Sequence, residues 1–147
     1  PLQDYAQGDQ RRSRSAAPNI IPNANAPAAC VEQLLPRFAG RLSGCALNVP
    51  VQRGSLLDLN CVLREVADAE TINDVIRAAA AARPRLIAVA EDPIVSSDVI
   101  GCRQTLLFDA KGTQRAGTRM VKTLAWYETL GHACRVLDVV RTYAALA

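Results

Sequence analysis

The run from Val95 to the C-terminus restricts the fold more than any other part of the chain. Val95-Ser96-Ser97-Asp98 has the composition of a turn, and Gln104 to Asp109 and Arg115 to Tyr127 read as two strands. Between them stands Lys111-Gly112-Thr113, whose glycine permits a reversal, so a hairpin is predicted with its turn there. After Leu130-Gly131 the apolar positions Ala133, Val136, Leu137, Val140, Tyr143 and Ala144 return to helical spacing. A hairpin followed by a one-sided helix implies a sheet with that helix, residues 133–146, packed on its face.

Upstream elements fit the same plan. Residues 1–26 are rich in Gln, Asp, Arg, Asn, Ala and Pro, with apolar spots at Tyr5 and Ile20-Ile21, and read as an irregular surface segment. A helix is predicted from Pro27 to about Phe38, because Ala28, Val31, Leu34 and Leu35 share a stripe and a first-turn proline lacks only an N–H that had no partner. Leu42 to Val49 is strand-like. Ser55 to Leu63 alternates, with Leu57, Leu59, Cys61 and Leu63 on a core face and Leu56, Asp58, Asn60 and Val62 on a mixed face suited to packing against a partner. Thr71 and Asp74 form a weak capping box for a helix carrying Ile72, Val75, Ile76, Ala79 and Ala80, and Pro84 follows its end. Leu86 to Ala90 suits a buried strand. Strands in succession without regular β-α-β alternation predict an α+β fold, a mixed or mostly antiparallel sheet with helices on one face. The expected organisation is one domain, 1–147, with a sheet-and-helix core over 27–147.

Composition removes several function classes. The chain has 17 basic and 14 acidic residues and one Trp, three Tyr and two Phe, which gives neither the basic face nor the stacking groups of a nucleic-acid binder. No apolar run approaches the ~20 residues of a membrane span, and no signal-like segment opens the chain, so a soluble cytoplasmic protein is expected. Cys30, Cys45, Cys61, Cys102 and Cys134 are scattered without a CxxC pair and read as buried thiols of a reducing compartment. His132 is the single histidine, so neither a zinc site nor a Cys–His pair is favoured, and His132 itself is given no role. No G-x-G-x-x-G follows a strand, so a dinucleotide-binding Rossmann half is absent from these residues.

Several stretches resemble the C-terminal, catalytic domain of phosphorylating glyceraldehyde-3-phosphate dehydrogenases. Val95-Ser96-Ser97-Asp98, Gln104-Thr105-Leu106-Leu107-Phe108-Asp109 and Lys122 to Arg135 are similar to that family's VSSD, STFDA and KxxxWYDNEWGYSNR. Arg11-Arg12-Ser13-Arg14-Ser15-Ala16-Ala17 looks like RRARAAA, Asn19-Ile20-Ile21-Pro22 like SIIP, and Asn48-Val49-Pro50 with Leu57-Asp58-Leu59 like RVP…VDL. The resemblance covers roughly Arg11 to Ala147 and implies the family's fold, its NAD(P) cofactor, and an S-loop role for residues 1–26. Pro1 is not a natural start and the first ten residues read like the inside of a chain, so a fragment or a lost N-terminal half is expected.

The resemblance implies a site that is largely degenerate. No cysteine lies in an SCTTNC context, and if Tyr5 matches the family's V-H-S-Y-T tyrosine, Gln3 replaces the histidine, which otherwise lay before Pro1. The phosphate-gripping arginine of RVP becomes Asn48, an amide without permanent charge. The phosphate-binding Thr-Gly becomes Asn25-Ala26, and the nicotinamide-orienting asparagine becomes Thr129. Arg12 matches a retained phosphate-binding arginine and Arg14 one that makes interface ion pairs, while the group Arg11, Arg12, Arg14 also reads as a solvated or interface-pairing run. No catalytic and no metal-ligating residue is assigned. Two functions are expected to compete. One is a pseudoenzyme scaffold that serves as an oligomerisation or regulatory module, a homo-oligomer through the mixed sheet face. The other is the C-terminal part of a divergent NAD(P)-dependent aldehyde or phosphosugar dehydrogenase whose nucleotide half is missing.

Overall fold

The computed structural model describes residues 1–147 apart from Gln7, Asn25 and Ala147. The chain divides into two units, Pro1–Gln52 and Arg53–Ala147. In the first, β1 (Ile21–Ala24) is followed by α1 (Pro27–Leu34) and β2 (Cys45–Asn48). The segment expected to be irregular therefore ends in a strand: β1 pairs antiparallel with β2, Ile21 opposite Asn48 and Ala24 opposite Cys45. Its Ile-Pro-Asn-Ala sequence has no useful alternation, and what makes it a strand is the ladder supplied by residues far along the chain. Before β1, the Asp9 carboxylate accepts the N–H groups of Arg11 and Arg12 at 2.9 and 3.2 Å, an Asx-type turn, and Tyr5 N–H reaches the Ser13 carbonyl at 2.8 Å. Pro27 starts α1 as the spacing predicts, but the helix stops at Leu34 rather than Phe38. Pro36 forces Leu35 out of the helical region, to φ −130° and ψ 77°, and only a 3-10 turn, Pro36–Phe38, follows.

The second unit contains β3 (Ser55–Val62), α2 (Ala69–Ala82), β4 (Ile87–Ala90), β5 (Leu106–Ala116), β6 (Met120–Tyr127) and α3 (Thr129–Ala144). Its sheet runs in the order β3-β6-β5-β4, with β4–β5 parallel and the other pairs antiparallel. This is the α+β fold read from the sequence, and within it the Ser55 and Met120 strands lie side by side as an antiparallel pair. The core gathers Val99, Phe108, Ala110, Val121 and Ala125. Helix α2 lies over β4 and β5. Its buried Asn73 donates to the Ala110 carbonyl at 3.1 Å and accepts from Thr113 Oγ1 at 2.7 Å, which satisfies polar groups that burial would otherwise penalise.

Several expectations are corrected. The cap of α2 is Asp68, whose carboxylate accepts from Thr71 N–H at 2.7 Å, so Thr71 is a recipient of the cap and not its source. That N–H holds the Asp68 carboxyl below its ordinary pKa. Lys111-Gly112-Thr113 is not the hairpin turn: β5 continues through it with a shift of register between Asp109 and Gln114, and the reversal comes at Gly117, whose φ of +61° suits glycine. Gly112 is there for another reason, since a Cβ on it would lie 2.8 Å from the Leu124 side chain. The core face expected for Ser55–Leu63 is not closed, because β3 is the sheet edge and Leu57 and Leu59 are each 44% exposed. The cysteines are not buried either: Cys30 and Cys45 are exposed and Cys61, Cys102 and Cys134 half-buried, because α1 buries none of its residues and β3 is an edge. Finally, α3 meets the segments that lead into β4 and β5, where Gly131 lies against Gln104 and the Arg135 guanidinium donates to the Arg85 carbonyl at 2.6 Å. Its Val136, Val139 and Val140 remain about half exposed.

Beyond the sheet, Arg77 ties α2 to the end of β4. Its guanidinium donates to both oxygens of Glu91, at 2.8 and 3.0 Å, and its Nη1 reaches Glu70 at 2.6 Å and Asp74 at 2.8 Å. The fork holds the Glu91 carboxyl below its usual range. No helix among the described residues is long and apolar enough to cross a membrane.

Candidate functional site

The first unit brings two of the sequence-selected residues together. Arg12 and Asn48 line one open hollow of about 260 Å³, whose other walls are Pro1, Ala16 and Ile21. The Asp9 turn sets Arg12, and the β1–β2 ladder sets Asn48 opposite Ile21, which is buried. Ala16 is held by its N–H to the Pro1 carbonyl at 2.9 Å. Among the described residues the Arg12 guanidinium has no ion pair and the Asn48 amide has no hydrogen-bond partner. Arg14 behaves differently, pairing with Asp4 at 3.3 Å. Arg11 and Arg14 border a second hollow, of about 300 Å³, with Asn19, Ile20 and Pro22. Of the three arginines in the run, Arg14 is ion-paired, whereas among the described residues Arg11 and Arg12 are not, and Arg12 stands beside an amide.

The remaining selected positions do not join this hollow within the first unit. Ala26 is the residue before α1, at φ −94° and ψ −9°, and caps nothing with its side chain. Asn25 lies outside the described residues. Thr129 belongs to the second unit and is the first residue of α3. Before it, the nearly buried Glu128 carboxylate accepts from Leu130 N–H at 3.1 Å and stands 3.9 Å from Arg53, so Glu128, and not Thr129, makes the polar contacts of that turn. His132 is exposed on α3, and Gln3 is exposed. Among the described residues no cluster of His, Cys, Asp or Glu could hold a metal ion.

Sequence reasoning passed over Asn73, Thr113 and Glu128. An Asn inside a helical stripe, as at Asn73, was a readable sign of a buried polar link, and Glu128 just before a helical repeat was a readable cap. Chemically, the hollow offers one permanent cation, one neutral donor–acceptor pair and an apolar floor, with no carboxylate, thiol or imidazole among its described walls.

The family model described as the C-terminal domain of glyceraldehyde 3-phosphate dehydrogenase matches residues 1–129. The chain is similar to the glyceraldehyde-3-phosphate dehydrogenase of Clostridium acetobutylicum, 37% identical over 147 residues, which covers 97% of this chain and 43% of that protein. It is also similar to that of Kitasatospora aureofaciens, 37% identical over 146 residues with 98% and 44% covered. A third relative, from Mycobacterium avium, is 36% identical over 141 residues with 95% and 41% covered. The chain therefore spans less than half the length of these relatives.

Proposed function

Because the chain belongs to the family of the glyceraldehyde 3-phosphate dehydrogenase C-terminal domain, we propose that it is the scaffold of that oxidoreductase domain without dehydrogenase activity of its own, serving as an oligomerisation or regulatory module. The observation that carries this is the hollow with a single guanidinium, where Arg12 faces Asn48; in the resemblance Asn48 replaces a second arginine of the family's phosphate grip. None of the five cysteines stands in the family's nucleophile motif. The family implies NAD(P), and the residues present do not fit it. No glycine lies in the links β1–α1, β3–α2 or β6–α3, so among the described elements no strand leads through a glycine-rich turn into a helix N-terminus, and in the resemblance Thr129 replaces the nicotinamide-orienting asparagine. The isolated chain is expected to give no NAD reduction with glyceraldehyde 3-phosphate and no calorimetric NAD signal at micromolar concentrations, and Asn48→Arg alone is expected not to restore either. Turnover above the buffer rate overturns this reading.

Assembly is proposed through the mixed sheet face. Leu56, Asp58, Asn60 and Val62 of β3 stand opposite Trp126, Leu124, Lys122 and Met120 of β6, and cross-strand partners share a face. Leu56 is 46% and Val62 75% exposed, while Lys122 and Asp58 pair at 2.8 Å, so the face is apolar with its central charges neutralised. A second copy applied by a two-fold axis would cover it, an interface of ordinary size hiding about 1,200–2,000 Å². Leu56→Asp puts an unpartnered carboxylate at the centre of that contact, which costs several kcal/mol when desolvated. Sedimentation at about tens of micromolar, where a stable interface of this size is populated, is expected to show a wild-type dimer and a monomeric Leu56→Asp chain. A monomeric wild type, or a variant as dimeric as the wild type, removes the proposal.

A second reading is favoured by the coverage of less than half of each relative: the chain is the C-terminal part of a divergent NAD(P)-dependent aldehyde or phosphosugar dehydrogenase. The coding sequence upstream of Pro1 tests it. An open frame with a glycine-rich strand–helix turn and a cysteine motif close before Pro1 supports this reading, and a stop codon in frame there excludes it.

A further inference from the structure

We propose that the outer edge of β3 is a pairing surface for the β3 of a second copy of this chain. The two strands run antiparallel about a two-fold axis at Leu59, so that two sheets join into one. β3 pairs on one side, with β6, and their register runs from Ser55–Tyr127 to Val62–Met120 without a shift. The Leu63 N–H donates to the Arg119 carbonyl at 2.8 Å and the Leu59 carbonyl accepts from Thr123 Oγ1 at 3.4 Å, so the odd-numbered residues of β3 turn their backbone groups toward β6. By the alternation of an antiparallel ladder, Leu56, Asp58, Asn60 and Val62 turn theirs outward, where no strand among the described residues meets them. Proteins blunt such an edge with proline, lysine or a bulge, and Ser55–Val62 has none of these. The opposite edge of the sheet is different: β4 is 4 residues long, none of them exposed, and Pro84 and Pro93 stand beyond its ends.

The sequence of β3 is complementary to itself in one register. Centred on Leu59, Asp58 stands opposite Asn60 of the second copy and Leu56 opposite its Val62, each such pair exchanging both backbone N–H···O bonds. On the other face Leu59 meets Leu59 and Leu57 meets Cys61, apolar against apolar. Within one chain Asn60 Nδ2 donates to Asp58 Oδ1 at 3.0 Å and Lys122 holds the other carboxylate oxygen at 2.8 Å, so the second N–H of the Asn60 amide is available to the Asp58 across the axis. A register centred on Asp58 sets two carboxylates directly opposite, which is repulsive, and larger shifts leave part of β3 unpaired. The two-fold pairing uses both long edges and ends the joined sheet on the two short β4 strands, so this contact closes on itself. α2 lies over β4 and β5, away from this edge. The contact does not rest on the sheet-face assembly proposed above. Leu57 and Cys61 project from the face opposite to Leu56, Asp58, Asn60 and Val62, so packing of the mixed faces does not bring them together. An edge contact is also smaller than a face contact, and it fills at higher concentration.

Disulfide trapping tests the pairing, in a chain whose Cys30, Cys45, Cys102 and Cys134 are replaced by alanine so that Cys61 is the one thiol left. In the proposed register Leu57 and Cys61 of the second copy form a non-hydrogen-bonded pair with Cα atoms about 4.5 Å apart, within the span of a disulfide. Within one strand the same positions are about 13 Å apart and cannot bridge. Leu57→Cys is therefore expected to give a covalent dimer under mild oxidation at about 0.5 mM chain, about ten-fold or more faster than the chain with Cys61 alone. Asn60→Pro removes an outward N–H and none of those bonded to β6, and it should slow this cross-linking about ten-fold or more. Leu59→Lys leaves every backbone donor in place and sets like charges opposite at the axis, and it should do the same with the fold intact. Three results each overturn the proposal: cross-linking as fast with Cys61 alone, cross-linking that Asn60→Pro and Leu59→Lys leave unchanged, or no covalent dimer from a Leu57→Cys chain whose spectrum is that of the folded protein.

Discussion

Gly131→Ala is expected to destabilise the chain by about 3 kcal/mol, although alanine is the better helix former by about 1 kcal/mol. Gly131 is buried in the first turn of α3, its N–H on the Glu128 carbonyl at 3.1 Å. A Cβ there would lie 3.0 Å from the Gln104 carbonyl carbon and closer still to its oxygen, with the Thr105 Cα at 3.5 Å. All three obstacles are backbone, in the segment leading into β5, so the clash cannot be relieved by a rotamer change. Either α3 lifts away, which strains the Arg135–Arg85 hydrogen bond and the Arg85–Asp138 ion pair, or β5 shifts against its neighbours. For a chain of this size the loss lowers Tm by roughly 6–12 °C. His132→Ala, one residue on and exposed, is the control and should change stability by less than about 0.5 kcal/mol. Denaturation midpoints decide the matter: a Gly131→Ala chain as stable as the wild type would mean that α3 does not press on Gln104.

Where a strand carried its own alternation or a helix its own stripe, the sequence was sufficient. The Ser55 and Met120 strands, α2 and α3 were readable because each repeats its period over several turns or pleats. What local pattern could not supply was the identity of neighbours. Ile21–Ala24 becomes a strand only because Cys45–Asn48 lies beside it, and Leu57 and Leu59 alternate as a core face should yet stand on an edge. Gly112 looked like a turn because glycine suits turns, whereas its role is steric, under Leu124. The site divides in the same way. Arg12 and Asn48 were selectable one by one from a resemblance, but their position in one hollow depends on the β1–β2 ladder and the Asp9 turn, which no single stretch announces. The Arg14–Asp4 pair is likewise a matter of tertiary geometry.

Asp109→Ala is expected to cost about 3 kcal/mol, because it removes the acceptor on which the irregular stretch of β5 is built. Asp109 is 5% exposed and stands where the β5–β6 register shifts. One carboxylate oxygen accepts from Gly112 N–H at 2.9 Å and the other from Trp126 Nε1–H at 3.3 Å, so the side chain joins the bulged strand to its neighbour. Truncation leaves a buried backbone N–H without a partner, and an orphaned donor is penalised by its full desolvation, beyond the modest net value of the bond it lost. Asp109→Asn keeps one oxygen for Gly112 but turns a donor group toward Trp126 or leaves it facing the wrong way, so it should cost about half as much. Trp126→Phe removes only the longer bond and should cost about 1 kcal/mol. In the double variant Asp109→Ala/Trp126→Phe the losses should fall short of additive, since the second change removes a donor that the first had already orphaned. Hydrogen exchange at the Gly112 amide gives a local readout: it should quicken in Asp109→Ala and stay near wild type in Trp126→Phe. An Asp109→Ala chain with wild-type stability and a protected Gly112 amide would show that another acceptor supports the bulge.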